Sequence, residues 1–124
     1  MLGIMVDGVR SEQVAARYLM RRGWRVLERN WRGGGGELDL VVARRRTLAI
    51  VEVKSRSDRD RLTEPVSWAQ LARLHRAAEA YVTRRSRDGD WDSFRLDLVT
   101  VHRRGWRTVV RHVPNGLATP ELLR

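Results

Sequence analysis

Apolar residues recur along this chain with two different periods, and the change from one to the other outlines its elements. Between Ser11 and Arg22, Val14, Ala15, Tyr18 and Leu19 return at helical spacing. Ser11 is a residue type that caps helices, and Gly23 can supply a left-handed stop. Short extended runs follow. Trp24 to Leu27 predicts one strand and Glu37 to Val42 a second, separated by Arg32 and the run Gly33 to Gly36, which reads as a flexible connection. Thr47 to Lys54 predicts a third strand, joined to the second through Arg44, Arg45 and Arg46 as an antiparallel hairpin. The polar stretch Ser55 to Thr63 suits a loop, and Pro65 suits the first turn of a helix reaching about Arg85, with Trp68, Leu71, Leu74, Ala78 and Tyr81 or Val82 as its buried stripe. After the turn at Asp88-Gly89, Phe94 to His102 alternates like a strand. Gly105 separates it from a last strand, Trp106 to Val113, which Pro114-Asn115-Gly116 ends. The order helix, three strands, helix, two strands describes an α/β (α+β) domain on one central sheet. A length of 124 residues fits a single domain spanning 1–124.

Within the third strand, Leu48, Ile50, Glu52 and Lys54 share one face, and Ala49, Val51 and Val53 share the other. Aliphatic residues on both faces predict a central, buried strand, where Glu52 and Lys54 are costly unless compensated. A hairpin closing on Arg44 and Thr47 sets Asp39 opposite Glu52 and Glu37 opposite Lys54. Two carboxylates side by side repel, so a buried pair either holds a proton or recruits a cation. Mg²⁺, or Mn²⁺ in its place, is a hard ion that accepts a few carboxylates and completes its shell with water and phosphate oxygens. A phosphodiester is therefore the expected substrate group. The opposing reading is an ion pair of Lys54 with Glu37 or Glu52 that only fixes the register of the strands.

Charge sharpens this picture. The 25 basic against 15 acidic residues leave a formal charge of +10, which favours a polyanion, nucleic acid before a membrane surface. Of the 25 basic residues only Lys54 is a lysine. A compact ammonium can orient a water or meet developing phosphoryl charge in a way that a planar guanidinium does not. Arg32, Arg44, Arg45, Arg46 and Arg56, in loops and element ends, are the expected phosphate-contacting surface. The absence of cysteine excludes disulfides and thiolate zinc sites, and no signal-like or membrane-spanning run is visible, which fits a cytoplasmic protein. His75, His102 and His112 lack the spacing of a metal cluster. Trp24, Trp68 and Trp106 are expected to pack in the core or at its rim, whereas Trp31, beside the glycine run, has base stacking as an alternative.

The runs Gly36-Glu37-Leu38-Asp39-Leu40 and Val51-Glu52-Val53-Lys54-Ser55-Arg56 resemble the signature of the YraN-type family of small bacterial proteins. The resemblance extends to Gly8, Glu12, Ala15, Ala16 and Leu19, to Gly23 and Asn30, and to Arg95-Leu96-Asp97, so it covers nearly the whole chain. That family is related to Holliday-junction resolvases within the restriction-endonuclease-like superfamily. The resemblance implies that fold and a metal held by Asp39 and Glu52, with the carbonyl of Val53. It also implies Lys54 beside the attacking water and Glu12 approaching from the first helix. Glu37 would stand behind these groups, or pair with an arginine. Gln70 departs from a lysine common at that position of the family, keeping a donor without its charge. The function expected is metal-dependent hydrolysis of DNA phosphodiesters, selective for branched or junction structure, with a homodimer suited to a symmetric substrate. The alternative is a non-catalytic nucleic-acid-binding module of the same fold.

Overall fold

The computed structural model describes residues 3–57 and 67–117, with side chains for 10–56 and 67–117. The elements follow the expected order: α1 (Gly3–Arg21), β1 (Arg25–Gly33), β2 (Gly36–Arg44), β3 (Thr47–Ser57), α2 (Trp68–Arg85), β4 (Ser93–Arg104) and β5 (Arg107–Val113). The protein is a mixed α+β domain whose five-stranded sheet keeps the order β1-β2-β3-β4-β5. All neighbours are antiparallel except β3 and β4, which run parallel and are joined through α2, as a parallel pair requires a long crossover.

The sheet divides two apolar layers. On one side Ala15, Ala16 and Leu19 of α1 pack with Trp24 against Leu40, Val42, Ala49, Val51 and Val99. On the other, Leu71, Leu74, Ala77 and Tyr81 of α2 pack against Leu38, Val41, Leu48, Ile50 and Leu96. β3 is central and apolar on both faces for this reason, as its composition predicts. Among the described residues no helix is long and apolar enough to cross a membrane.

Several boundaries differ from the sequence reading. α1 begins at Gly3, so Ser11 is a buried residue within the helix and does not cap it. The helical residues before it carry too irregular an apolar pattern to announce themselves. β1 runs on to Gly33 because past the bulge between Val26 and Glu28 its residues, Asn30 excepted, pair with β2. In α2 the N-cap is Ser67, whose hydroxyl accepts from the Gln70 N–H at 3.2 Å while Gln70 Oε1 accepts from the Ser67 N–H at 3.2 Å. This capping box satisfies two otherwise orphaned donors. Pro65 and most of the expected loop lie outside the described residues. Trp68 is 63 % exposed and Trp106 93 % exposed, so neither belongs to the core. Trp68 stands at the first helical position, a turn before the buried stripe begins at Leu71. Trp106 occupies the two-residue reversal between the closing pair Arg104 and Arg107.

The glycine run is a rigid packing device and not a flexible connection. Gly33 and Gly36 close the β1–β2 hairpin, and Gly34 and Gly35 form its loop with φ of 60° and 83°. Positive φ at both loop residues matches the right-handed twist of the strands. A Cβ on Gly34 would lie 2.6 Å from the Arg76 carbonyl oxygen, and one on Gly36 would lie 2.6 Å from that of Arg73. The hairpin tip therefore rests directly on the backbone of α2, while Gly35 faces open space.

One buried polar node supports the α1 layer. Asp97 is fully buried in β4. It accepts from Arg95 (2.7 Å), from the backbone N–H of Asn115 (2.9 Å), and pairs with His112 Nε2 at 2.7 Å. Burial alone would raise its pKa, but the bonds from Arg95, Asn115 and His112 outweigh that and hold it below the usual carboxylate range.

Two stability predictions follow from these contacts. Gly34→Ala should lose about 2 kcal/mol or more in urea denaturation, and at least ~1 kcal/mol more than Gly35→Ala, which meets the same strain without the clash. Asp97→Asn should lose about 3 kcal/mol at neutral pH, since it breaks an ion pair whose carboxylate is fully buried and leaves half-buried Arg95 without its partner. Because the folded pKa of Asp97 is depressed, its contribution is full above the unfolded value near ~4 and is lost as pH falls through the folded one. The gap between wild type and Asp97→Asn should accordingly close on acidification below about pH 4.

Candidate functional site

The hairpin β2–β3 closes on Arg44 and Thr47, as the sequence predicts, and its ladder runs from there to Leu40 and Val51. Beyond that pair the strands part. β2 continues to Gly36 against β1, and β3 continues to Ser57 against β4. A parting of neighbours leaves facing backbone groups without ladder partners, and buried N–H groups require one. Asp39 supplies it, for its Oδ2 accepts from the N–H of Val53 at 2.8 Å. The alternation of β2 slips at the same place: Leu40 packs in the α1 layer and Leu38, two residues away, in the α2 layer. Across from Asp39, Asn30 lies between the paired residues Arg29 and Trp31 and takes a left-handed φ of 51°. Asparagine tolerates this conformation better than most residues.

Glu52 and Lys54 extend the Ile50 face of β3 past the end of the ladder. Lys54 Nζ stands 3.5 Å from Glu52 Oε1, with side chains only 26 % and 18 % exposed. Burial raises the Glu52 pKa to about 7, helped by the charge of Asp39 and opposed by Lys54. Asp39 is also raised by burial, but the Val53 N–H, a hydrogen bond with Glu52 and the Lys54 charge pull against it. The hydrogen bond between the two acids pulls Asp39 down and pushes Glu52 up. The two acids thus meet, as the hairpin register predicts.

Two further acids surround them. Glu12 reaches Asp39 from α1; burial, the Asp39 charge and their mutual hydrogen bond raise its pKa, and Asn30 counters them. With its amide turned to donate, Asn30 bridges Glu12 Oε2 at 3.1 Å and Glu37 Oε1 at 3.2 Å. Glu37 does not face Lys54, since the ladder that would pair them ends at Leu40; it meets Arg32 at 3.5 Å instead. A cavity of about 260 Å³ opens over Glu37, Asp39, Glu52 and Lys54, closed on the far side by Gln70 and Arg73 of α2. Gln70 therefore reaches the site although its carbonyl oxygen serves the helix cap.

Asn30 and Arg73 were not singled out for the site by sequence reasoning. The signal for Arg73 is its spacing of one helical turn from Gln70, which places both on one face. For Asn30 it is a polar, turn-forming residue in the middle of a strand pattern. Among the described residues, no set of three or more His, Cys, Asp or Glu side chains is arranged to enclose a metal ion by itself. Two carboxylates, a backbone carbonyl and open volume remain, a donor set that matches the partial, water-completed shell of Mg²⁺.

The expected arginine surface does not converge here. Arg46 binds Asp92 at 2.8 Å and the Gly89 carbonyl at 3.2 Å, clasping two loops. Arg44 and Arg45 stand at the opposite end of the hairpin around Trp24. Only Arg56 prolongs the Glu52–Lys54 face, next to His102 on β4. Trp31 lies edge-on to Tyr81 at 5.1 Å and against Gly33, so it packs the core and is not a platform for a base.

Comparison with known proteins places this geometry in context. The sequence profile of "Uncharacterised protein family UPF0102" matches residues 11–101, which include every acid of the site. Relatives described as UPF0102 protein include one from Methylorubrum extorquens, 39 % identical over 109 residues, covering 88 % of this chain and 82 % of the relative. One from Mycolicibacterium gilvum is 44 % identical over 99 residues, covering 76 % and 78 %. Another from Nitratidesulfovibrio vulgaris is 38 % identical over 120 residues, covering 94 % and 87 %. With the profile spanning Glu12, Asp39, Glu52 and Lys54 and relatives matched along most of their length, the chain belongs to the UPF0102 family, the YraN-like family that its motifs resemble.

Proposed function

We propose that this protein is a metal-dependent endonuclease that hydrolyses DNA phosphodiesters, selective for branched or junction DNA. The observation that carries the reading is the pair Asp39 and Glu52. They are half-buried, hydrogen-bonded to each other where the sheet parts, and beside the only lysine of the chain. Two carboxyl groups brought this close repel when both are ionised, and a divalent cation is the ligand that relieves the repulsion. Asp39 and Glu52 would hold Mg²⁺ or Mn²⁺ with the carbonyl of Val53. The N–H of Val53 is turned to β2, and in an extended strand the carbonyl of a residue faces the same edge as its N–H. The ion would supply Lewis-acid polarisation of the scissile phosphate.

The remaining roles belong to the side chains. Lys54 positions the attacking water and offsets charge building on the phosphoryl oxygens, and its proximity to Glu52 keeps it aimed into the cavity. Glu12 and Glu37, held by Asn30, orient Asp39 and add negative potential for the cation. Arg73 and Gln70 stand where a flanking phosphate would lie. No base-reading array is evident among these groups, so recognition by backbone shape is the expected mode. A homodimer would offer two such sites to a symmetric junction. The absence of cysteine and of a spanning helix among the described residues supports a cytoplasmic setting.

A second reading rests on a specific feature. The two acids hydrogen-bond each other, and among the described residues no group of three His, Cys, Asp or Glu could hold a metal, which also suits a nucleic-acid-binding module without catalysis. Cleavage assays separate the two. Purified protein with Mg²⁺ or Mn²⁺ should cut branched DNA in preference to linear duplex. Asp39→Asn and Lys54→Gln should each lower the rate by on the order of 10³-fold while binding persists. Lys54→Arg keeps the charge but not the compact ammonium and should fail as well; binding without cleavage of any substrate would leave the module.

Stability supplies an independent check. Ionising Glu52 beside Asp39 is unfavourable, so Glu52→Gln should stabilise the metal-free protein at pH 8. At about 1.4 kcal/mol per pKa unit, the rise of the Glu52 pKa to about 7 implies a gain on the order of 3 kcal/mol. Millimolar Mg²⁺ should raise the melting temperature of the wild type and not that of Asp39→Asn.

A further inference from the structure

The end of the sheet away from the acids carries a second cavity, of about 640 Å³, bounded by Arg22, Trp24, Arg44, Arg45 and Arg95. Three elements bring these residues together: the exit of α1, the β2–β3 reversal and the first residues of β4. Arg44 is held in place twice. Its NH1 donates to the Arg22 carbonyl at 3.1 Å, and its guanidinium lies 4.4 Å from the centre of the Trp24 ring. The guanidinium of Arg95 lies 5.2 Å from the same ring. Arg95 is balanced by buried Asp97. Among the described residues no carboxylate makes an ion pair with Arg22, Arg44 or Arg45.

The guanidinium groups of Arg44 and Arg95, both held over Trp24, and the Arg45 side chain beside them set like charges around one cavity, and the ligand that relieves their repulsion is an anion. Guanidinium is planar and forked, which suits the paired oxygens of a phosphate. Trp24 is buried and already has arginines against it. It is therefore not free to stack on a base, and the cavity selects for phosphate without reading sequence. We propose that this cavity is a second phosphate-binding site, which grips a backbone phosphodiester of the nucleic acid whose cleavage is assigned to the Asp39–Glu52 centre. The inference rests on that assignment for the identity of the ligand. Arg44 lies five positions beyond Asp39 along β2, roughly 16 Å at the rise of a strand. That is about five steps of a duplex at ~3.4 Å each. A single DNA segment can reach both, and a branched one can place different arms on them.

The test is binding in EDTA, so that it does not depend on catalysis. Fluorescence anisotropy with labelled branched DNA over a series of salt concentrations gives affinity and the number of phosphate contacts. Arg45 has φ of 55°, so Arg45→Asn removes its charge with a residue that accepts this backbone, and Arg44→Gln removes the anchored guanidinium. Each should weaken binding by about 5-fold or more and reduce the log–log salt slope by about one. Arg107→Gln, at the β4–β5 reversal on the opposite end of the sheet, should leave the slope unchanged. Equal effects from Arg107→Gln would mean a diffuse positive field and overturn the site. Wild-type affinity in both cavity variants would overturn it too, even with Mg²⁺-dependent cleavage intact, whereas loss of cleavage alone would count against the Asp39–Glu52 reading. Calorimetry with inorganic phosphate distinguishes the source. Phosphate binding lost in Arg45→Asn while DNA affinity is unchanged would assign the cavity to a free phosphate compound and overturn the backbone assignment.

Discussion

The hydrogen bond from the Val53 N–H to Asp39 Oδ2 is the contact on which the candidate site depends. Where β2 and β3 part beyond Leu40 and Val51, a ladder donor has to be satisfied. A side-chain carboxylate does this at the cost of burying a charge. Every neighbouring feature answers that cost. Glu52 hydrogen-bonds to Asp39, Lys54 brings a positive charge, and Asn30 holds the outer acids by leaving regular strand geometry. The parting also explains why charged residues can occupy the most apolar strand. Up to Val51 the strand is packed between α1 and α2; past it the same face opens into a cavity.

The hairpin tip makes the opening a stable one. With Gly34 and Gly36 seated on the carbonyls of Arg76 and Arg73, the free end of β2 is fastened to α2 and cannot swing back onto β3. The same contact sets Arg73, and with it Gln70 one turn earlier, across from Asp39. A methyl group at either glycine would separate the strand from the helix and widen the site, so a backbone contact remote from the chemistry controls its dimensions.

Much of this was legible in the chain, and what was not has physical reasons. The order of elements came from the two periodicities. The meeting of Asp39 with Glu52 came from counting back from Arg44 and Thr47, because an antiparallel register propagates from its turn. The separation of Glu37 from Lys54 did not, since the count assumes a ladder without end, and nothing in Leu38 or Leu40 reports that one packs above the sheet and the other below. Glycine at four successive positions signals conformational freedom, but whether that freedom serves motion or close contact depends on α2, which is distant in sequence. Trp68 and Trp106 show the complementary failure: large apolar residues are often buried, yet a first helical turn and a two-residue reversal offer nothing to bury them against. Arg95-Leu96-Asp97 was visible only as a family likeness, because the partners that make Asp97 a buried node, His112 and Asn115, come from the last strand and its turn.

The two charged centres lie at opposite ends of the same strands. The acids gather past the middle of β3, where its parallel partner β4 also runs toward its carboxyl end, and the arginines gather where both strands begin. A polyanion approaching the metal-free protein meets attraction at one end and repulsion at the other, so it should settle on the arginines with the acidic cavity unfilled. On the proposed reading, neutralising the Asp39–Glu52 pair with a divalent cation would remove the repulsion without altering the attraction and would let a phosphate enter beside Lys54. On the proposed reading, affinity and chemistry are therefore divided between the two ends, and the cation governs entry to the acidic cavity as well as reactivity within it.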